Sequence, residues 1–304
     1  MSTRGVSEAS GAALIDGKAL AGEILADASG HMEELRRRHG FVPGVRVVMV
    51  GEEPASDIYA RRILRTAQRV GASGELIRLA PDAGLETVRR TLRELSKDAS
   101  VGGVILQLPL PAGLQPGGLI EELDPIKDLD GIHPLNAGLI SRGLVGFAPS
   151  CAEAALQILR RTGVPLAGKR AVVVGRSNVV GRPAQLLLMG EDATVTVCHR
   201  QTRDLDDVIR QAEIVVVAAG SPGLVTGDAI CPGAVVIDCG INVLSDGSIC
   251  GDVDLPSVAP VAAAVTPVPG GVGPVTNAVL MQHLARASRA QLDGSPLGAP
   301  EMAS

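Results

Sequence analysis

Residues 171–200 read AVVVGRSNVVGRPAQLLLMGEDATVTVCHR, and this stretch decides the fold class. Residues 171–174 are apolar and β-branched, as suits a parallel strand buried on both faces. Gly175 ends that strand, and seven positions span Gly175 to Gly181. Pro183 follows where a first helical turn tolerates a missing N–H. The backbone amides of 177–181 therefore sit near a helix N-terminus, where orphan donors and the helix dipole attract phosphate. Gly190 marks the helix end, and TVTVC at 194–198 alternates into a second strand. The stretch is a nucleotide-binding βαβ unit, although its spacing is not GxGxxG. A dinucleotide site usually places an acidic residue after the second strand to hold the ribose hydroxyls. Here Cys198, His199 and Arg200 stand there, with Arg176 in the first turn. Two guanidinium groups and no carboxylate suit a 2′-phosphate, hence NADP rather than NAD. The bland alternative is a plain βαβ unit with solvated arginines.

Working outward, 304 residues at 46% hydrophobic suffice for about two domains with sizeable cores. A net charge of −5, with no Lys/Arg run longer than 36–38, argues against nucleic acid as a partner. With one Tyr, two Phe and no Trp, Tyr59 stands out, its plain alternative being half-buried packing. The five cysteines lack CxxC spacing and histidine companions, so they read as reduced structural thiols and no metal is expected. The polar start MSTRGVSEAS carries no apolar h-region, which leads us to expect a cytoplasmic protein. Residues 255–281 are uncharged but contain five prolines and the glycines 270, 271 and 273, so a structured loop is expected, with no membrane partner.

From the N-terminus, the pattern predicts a tail over 1–11, a helix over 17–38 and a strand over 45–50. A helix over 55–70 carries Tyr59 and Ile63, and strands at 75–79 and 103–108 flank a helix at 85–97. Gln107 ends the latter strand. This β/α alternation predicts a second parallel-sheet layer, whose strand ends are ligand sites. In IKDLDGIHPLN, 126–136, Asp128 and Asp130 would share a face of an extended segment, a solvated turn being the plain alternative. After the βαβ unit, strands are expected at 213–220 and 234–238. Their following turns, SPG and CGIN, would face the nicotinamide half of a cofactor. TPVPGGVGP at 266–274 is a proline-braced loop whose glycines admit close backbone approach, and a helix over 277–290 and a loose tail over 291–304 complete the chain.

The strings VILQLPLP, KDLDGIHPLN, VVVGRSNVVGRP, TVTVCHRQT, VIDCGIN, GDVD and TPVPGGVGPVT resemble, in order and spacing, the methylenetetrahydrofolate dehydrogenase/cyclohydrolase family over residues 15–284. The resemblance implies two α/β domains with a cleft between them. These are an N-terminal folate domain, 12–149 with the returning helix 277–290, and a Rossmann-like NADP domain, 150–276. It further implies tetrahydrofolate derivatives as substrates and a homodimer built through the Rossmann domains. By position, Tyr59, Gln107 and Asp130 become the catalytic and substrate-binding candidates, joined by Pro269, Gly270 and Gly271 of the PGGVGP loop. Gly175, Arg176, Ser177 and Ile241 become cofactor contacts, and Arg200 stands where many members carry a serine that touches the 2′-phosphate.

One departure bears on activity. The family places a catalytic lysine four residues after the tyrosine, and here that position is Ile63. Arg61 and Arg62 point to other faces and do not give up a proton. PSCAEA at 149–154 also departs from the family's PCTPxG. Hydride removal from the methylene carbon needs alignment and little acid or base. Hydrolysis of the methenyl product must move protons. The expectation is therefore NADP-dependent oxidation of 5,10-methylenetetrahydrofolate with cyclohydrolase weak or lost. The alternatives are a full bifunctional enzyme with another group in the lysine's place, or a non-catalytic paralogue that binds folate or NADP.

Overall fold

The computed structural model describes residues 6–8 and 12–298. Its contacts divide the chain into two compact units, Met1–Gly22 with Cys151–Thr276, and Glu23–Ser150 with Asn277–Ser304.

The first unit is built on a seven-stranded sheet. In order across the sheet the strands are Val6–Glu8, Ala13–Ile15, Ala264–Val265, Val235–Asp238, Ile214–Val217, Arg170–Val174 and Thr194–Cys198. All neighbours are parallel except the first pair. Interior strands of such a sheet are covered on both faces, which is why IVVV and VVID are buried at every position. Thr194–Cys198 lies at the edge, and its alternation of threonine and valine is the corresponding half-exposed pattern. Arg170–Val174 has the next strand of the chain on one side and the one after on the other. That makes its C-terminal end the topological switch point, where ligands of open α/β sheets bind. Gly175 occupies that end.

The second unit holds a parallel three-stranded sheet in the order Ser73–Leu79, Gly44–Val50, Gly103–Leu106. Alternate residues of its central strand serve opposite faces. Val45 and Val47 join Ala60, Ile63 and Ala67 of the helix Pro54–Arg69, together with Leu280, Met281 and Leu284 of the final helix. Val48 and Val50 meet Val88, Leu92 and Leu95 of the helix Leu85–Lys97 on the other side.

Three segments differ in detail from the sequence pattern. The contacts group residues 12–22 with the seven-stranded unit, because Ala13–Ile15 adds a strand to the large sheet by pairing with Ala264–Val265. The final helix runs over Val272–Asp293, so it takes in the end of the PGGVGP segment and part of the expected tail. The helix Pro134–Ser141 begins inside 126–136, the segment expected to be extended or a solvated turn. Of the expected tails, residues 1–5, 9–11 and 299–304 lie outside the described residues. Among the described residues no helix is long and apolar enough to cross a membrane.

Candidate functional site

The turn after Arg170–Val174 is shaped by two positions that exclude side chains. Gly175 has φ +126°, and a Cβ there would stand 2.1 Å from the Ala218 carbonyl oxygen. A Cβ on Gly181 would stand 2.1 Å from the Gly175 carbonyl oxygen. The chain thus folds tightly back on itself before the helix Gly181–Gly190. The Ser177 hydroxyl accepts from the Val180 N–H at 3.1 Å, while Arg176, Ser177 and Arg200 are exposed. Neither Arg176 nor Arg200 makes an ion pair with a described residue, so both guanidinium groups keep their donors for a ligand. Ile241 is 68% exposed, unusual for so large an aliphatic side chain outside a contact surface.

The turns SPG and CGIN are held by a group that sequence reading missed. Asp252 is fully buried and accepts from the Ala219, Gly220 and Ser221 N–H groups at 2.6, 2.8 and 2.8 Å, and from Asn242 Nδ2 at 2.9 Å. Asp238 stands behind it, accepting from the N–H groups of Gly240, Asp252 and Val253. Burial pushes the Asp238 carboxyl up to about 6, against the pull of those three hydrogen bonds. Their only trace in the sequence was the pair of strings VIDCGIN and GDVD. In the same unit, Pro269 is exposed, Gly270 has φ +113° and Gly271 is buried.

In the second unit, Tyr59 packs half-buried against the cluster that holds Ile63, Ile105 and Leu129. Gln107 follows Ile105 by two residues and Asp130 follows Leu129 by one, so both candidates are close in sequence to members of that cluster. Ser56 ties the start of the Tyr59 helix to the same region, donating to the Leu108 carbonyl at 3.4 Å. Gln107 is 8% exposed; its Nε2 donates to that carbonyl at 2.7 Å, and its Oε1 has no hydrogen-bond partner among the described residues. A buried amide oxygen left so is an acceptor waiting for a donor.

Asp130 accepts from the Ser150 hydroxyl at 2.6 Å through Oδ1. Desolvation raises its carboxyl to about 6, opposed by that bond and reinforced by the nearby Asp128 charge. Asp128 does not share its role, contrary to expectation. The segment is not extended there, and the buried Asp128 accepts from the His133 N–H at 2.7 Å and from Asn136 Nδ2 at 3.1 Å. It braces the loop, and burial raises its carboxyl.

Ile63, at the position where the resemblance implies a lysine, is fully buried among Val45, Val47, Ala60 and Ala67. Lys127, the one buried lysine of this unit among the described residues, donates its ammonium to the carbonyls of Leu95 and Asp98 at 3.2 and 2.7 Å. It caps the helix Leu85–Lys97, and burial lowers its pKa.

His283, another group the sequence did not flag, is fully buried on the final helix. Its Nδ1 lies 2.7 Å from the Leu129 carbonyl oxygen, and its ring meets Phe147 edge-on at 5.1 Å. The anchored peptide is the one that carries Asp130. His283→Leu is expected to lower stability by about 1–3 kcal/mol by orphaning a buried carbonyl. His283→Asn, with an amide donor of similar reach, should restore much of that loss in urea unfolding.

A parallel sheet with a glycine turn at its switch point, and a second α/β unit with a desolvated carboxylate and an amide engaged only through its nitrogen, define a nucleotide-binding α/β protein with a separate polar site. The comparisons sharpen this. The model of the tetrahydrofolate dehydrogenase/cyclohydrolase catalytic domain matches residues 15–130, and that of its NAD(P)-binding domain matches residues 149–292. The bifunctional protein FolD of Chloroflexus aurantiacus is 49% identical over 281 residues, covering 92% of this chain and 99% of its own length. A solved Trypanosoma brucei methylenetetrahydrofolate dehydrogenase-cyclohydrolase (FolD), in complex with NADP and an inhibitor, is 35% identical with a TM-score of 0.89, over 93% of this chain and 99% of that one. The bifunctional FolD enzyme of Campylobacter jejuni is 36% identical with a TM-score of 0.88, over 90% and 97%. The chain belongs to the tetrahydrofolate dehydrogenase/cyclohydrolase family and carries both its catalytic and its NAD(P)-binding domains.

Proposed function

We propose that this chain oxidises 5,10-methylenetetrahydrofolate to 5,10-methenyltetrahydrofolate with NADP, and that its cyclohydrolase activity is weak or absent. The observation that carries the reading is Ile63, an aliphatic side chain one helical turn beyond Tyr59 and sealed in the core. Gly175, Ser177 and the following helix start would hold the cofactor's phosphates, and Ile241 would pack against its nicotinamide half. Arg176 and Arg200 would take the 2′-phosphate, for which no acidic competitor follows Thr194–Cys198. NADP, when bound, accepts the hydride. The protein's share is alignment. The Asp130 carboxylate accepts two N–H bonds from the pterin edge, Gln107 Oε1 accepts a further donor, and Tyr59 lines the ring. None of these steps calls for a strong base. The PGGVGP residues Pro269, Gly270 and Gly271 complete the folate contacts in this reading.

A full bifunctional enzyme is the second reading, favoured by the names of the FolD relatives. It needs a proton-transfer group in place of a lysine, and Lys127 is engaged elsewhere as a helix cap. A spectrophotometric assay with methylenetetrahydrofolate and either nicotinamide cofactor, followed by a separate methenyl hydrolysis assay, tests both. Reduction of NADP without methenyl hydrolysis is the expected pattern; rapid hydrolysis would select the bifunctional enzyme. The proposal includes a homodimer, which light scattering of the full chain tests.

Cofactor choice gives a separate test. Arg200→Ala should weaken NADP by about 1–3 kcal/mol, through lost charge-assisted bonds, and leave NAD nearly unchanged. Equal affinity of the unmodified protein for both cofactors would remove this assignment.

A further inference from the structure

The segment PSCAEA, 149–154, departs from the family's PCTPxG, and at its second position the structure gives that departure a task. Ser150 begins the helix Ser150–Arg161 and is 3% exposed. Its hydroxyl donates to Asp130 Oδ1 at 2.6 Å, within the short range of a charge-assisted bond. The two residues are twenty positions apart in the chain, and both belong to the second unit. A hydroxyl has one proton to give, and this bond commits it. An ionised carboxyl offers about four lone pairs, so those not facing Ser150 stay open to a ligand. The backbone entering Asp130 is held as well, since His283 Nδ1 lies 2.7 Å from the Leu129 carbonyl oxygen.

We propose that Ser150 is a positioning residue for the folate site, its hydroxyl orienting the Asp130 carboxyl and holding it in the ionised form that only accepts hydrogen bonds. The link to folate rests on the pterin assignment of Asp130 given above.

Opposing effects set the charge of Asp130. Desolvation disfavours the ionised form most, and the Asp128 charge two residues back adds to it. The Ser150 hydroxyl pulls the other way, as does His283 on the final helix, and the balance leaves the carboxyl at about 6. Without the serine proton the balance tips towards the neutral acid. A neutral acid carries an O–H of its own and no longer presents both oxygens to a pair of N–H donors. A thiol at position 150, where the family string has cysteine, is a weaker donor than a hydroxyl. The serine therefore extends towards lower pH the range over which Asp130 can accept.

Two readouts on the full chain test this. Carbon-13 carboxyl NMR follows the Asp130 titration without ligand, and KM and kcat for methylenetetrahydrofolate are measured against pH with NADP. Ser150→Ala is expected to move the Asp130 midpoint up by about one pH unit, equivalent to losing one charge-assisted bond of modest strength. The rise of KM on acidification should move by the same amount, with KM near that of the unmodified chain well above the new midpoint. Ser150→Thr, which keeps the hydroxyl, should restore both profiles, and Ser150→Cys should fall between; if Ser150→Ala does not fold, Ser150→Cys takes its place. An unmoved Asp130 midpoint, or a KM raised equally at every pH, overturns the proposal and leaves Ser150 a structural contact. In an Asp130→Asn background Ser150→Ala should shift nothing; a shift that persists there assigns the titration to His283 and also overturns it. A midpoint that moves under an unchanged KM profile supports the hold of Ser150 on the carboxyl and overturns the pterin assignment of Asp130. The NMR readout decides the Ser150 bond even in a chain that turned over no folate.

Discussion

Asp130→Ala is expected to abolish turnover of methylenetetrahydrofolate while NADP affinity survives. The carboxylate is the one group in the second unit proposed to accept two pterin N–H bonds side by side, and charge-assisted bonds are worth about 1.5–3 kcal/mol each. Losing two of them would cost about 10² to 10⁴ in kcat/KM. Asp130 is also tied to Ser150, but that hydroxyl can turn to solvent or to a backbone carbonyl when its acceptor is removed. Asp130→Asn is the sharper variant, because it keeps an acceptor for Ser150 and loses the charge. The pH dependence follows from the raised carboxyl. Only the ionised form accepts two N–H bonds, so folate affinity should fall as pH drops through about 6, and Asp130→Asn should flatten that profile. Stability runs the other way. A folded carboxyl raised to about 6 binds its proton more tightly than the unfolded chain does, so its contribution is fully present below the unfolded value of about 4 and is lost as pH rises through 6. The group therefore reaches its working charge state at some cost to the fold. If NADP affinity fell as far as turnover in Asp130→Ala, the residue would be a structural brace and the pterin assignment would fail.

Much of this arrangement could be read from local pattern, and what could not was long-range. The strand, glycine turn, helix and strand of 171–200 are encoded within thirty residues, so Gly175, Pro183 and the alternation of Thr194–Cys198 suffice to find them. Ala13–Ile15 has no such signal. Three residues show no period, and their strand state comes from a partner, Ala264–Val265, some 250 positions away and itself two residues long. The helix Val272–Asp293 begins within a run of glycine and proline that propensity assigns to a loop. Asp252 and Asp238 look like ordinary polar residues until the amides of three separate segments are seen to converge on them. Ile63 is instructive in the opposite sense. Its place in the family pattern was legible, while its surroundings were not, because helical spacing names a face without saying what covers it.

The uncoupling of the two family activities is expected to be the largest effect in this chain. Methenyl hydrolysis should run about 10² to 10⁴ below that of a bifunctional relative assayed alongside, the usual worth of a general acid or base. Oxidation should remain, so methenyltetrahydrofolate should accumulate. Ile63→Lys carries a stability cost set by the burial of this position. The side chain lies among Val45, Val47, Ala60 and Ala67, and an ammonium there is desolvated. A depression of about 3 pKa units, typical of buried lysines, corresponds to about 4 kcal/mol against folding at neutral pH. The same depression is what a general base needs, since it leaves the amine neutral near pH 7. A less stable variant with raised methenyl hydrolysis is therefore expected, with the amine titrating well below an exposed lysine. Ile63→Met, of similar length and without a proton to move, separates shape from chemistry: it should fold well and hydrolyse no faster than the unmodified chain. Robust methenyl hydrolysis by the unmodified protein, or equal gains from Met and Lys, would move the assignment to the bifunctional enzyme.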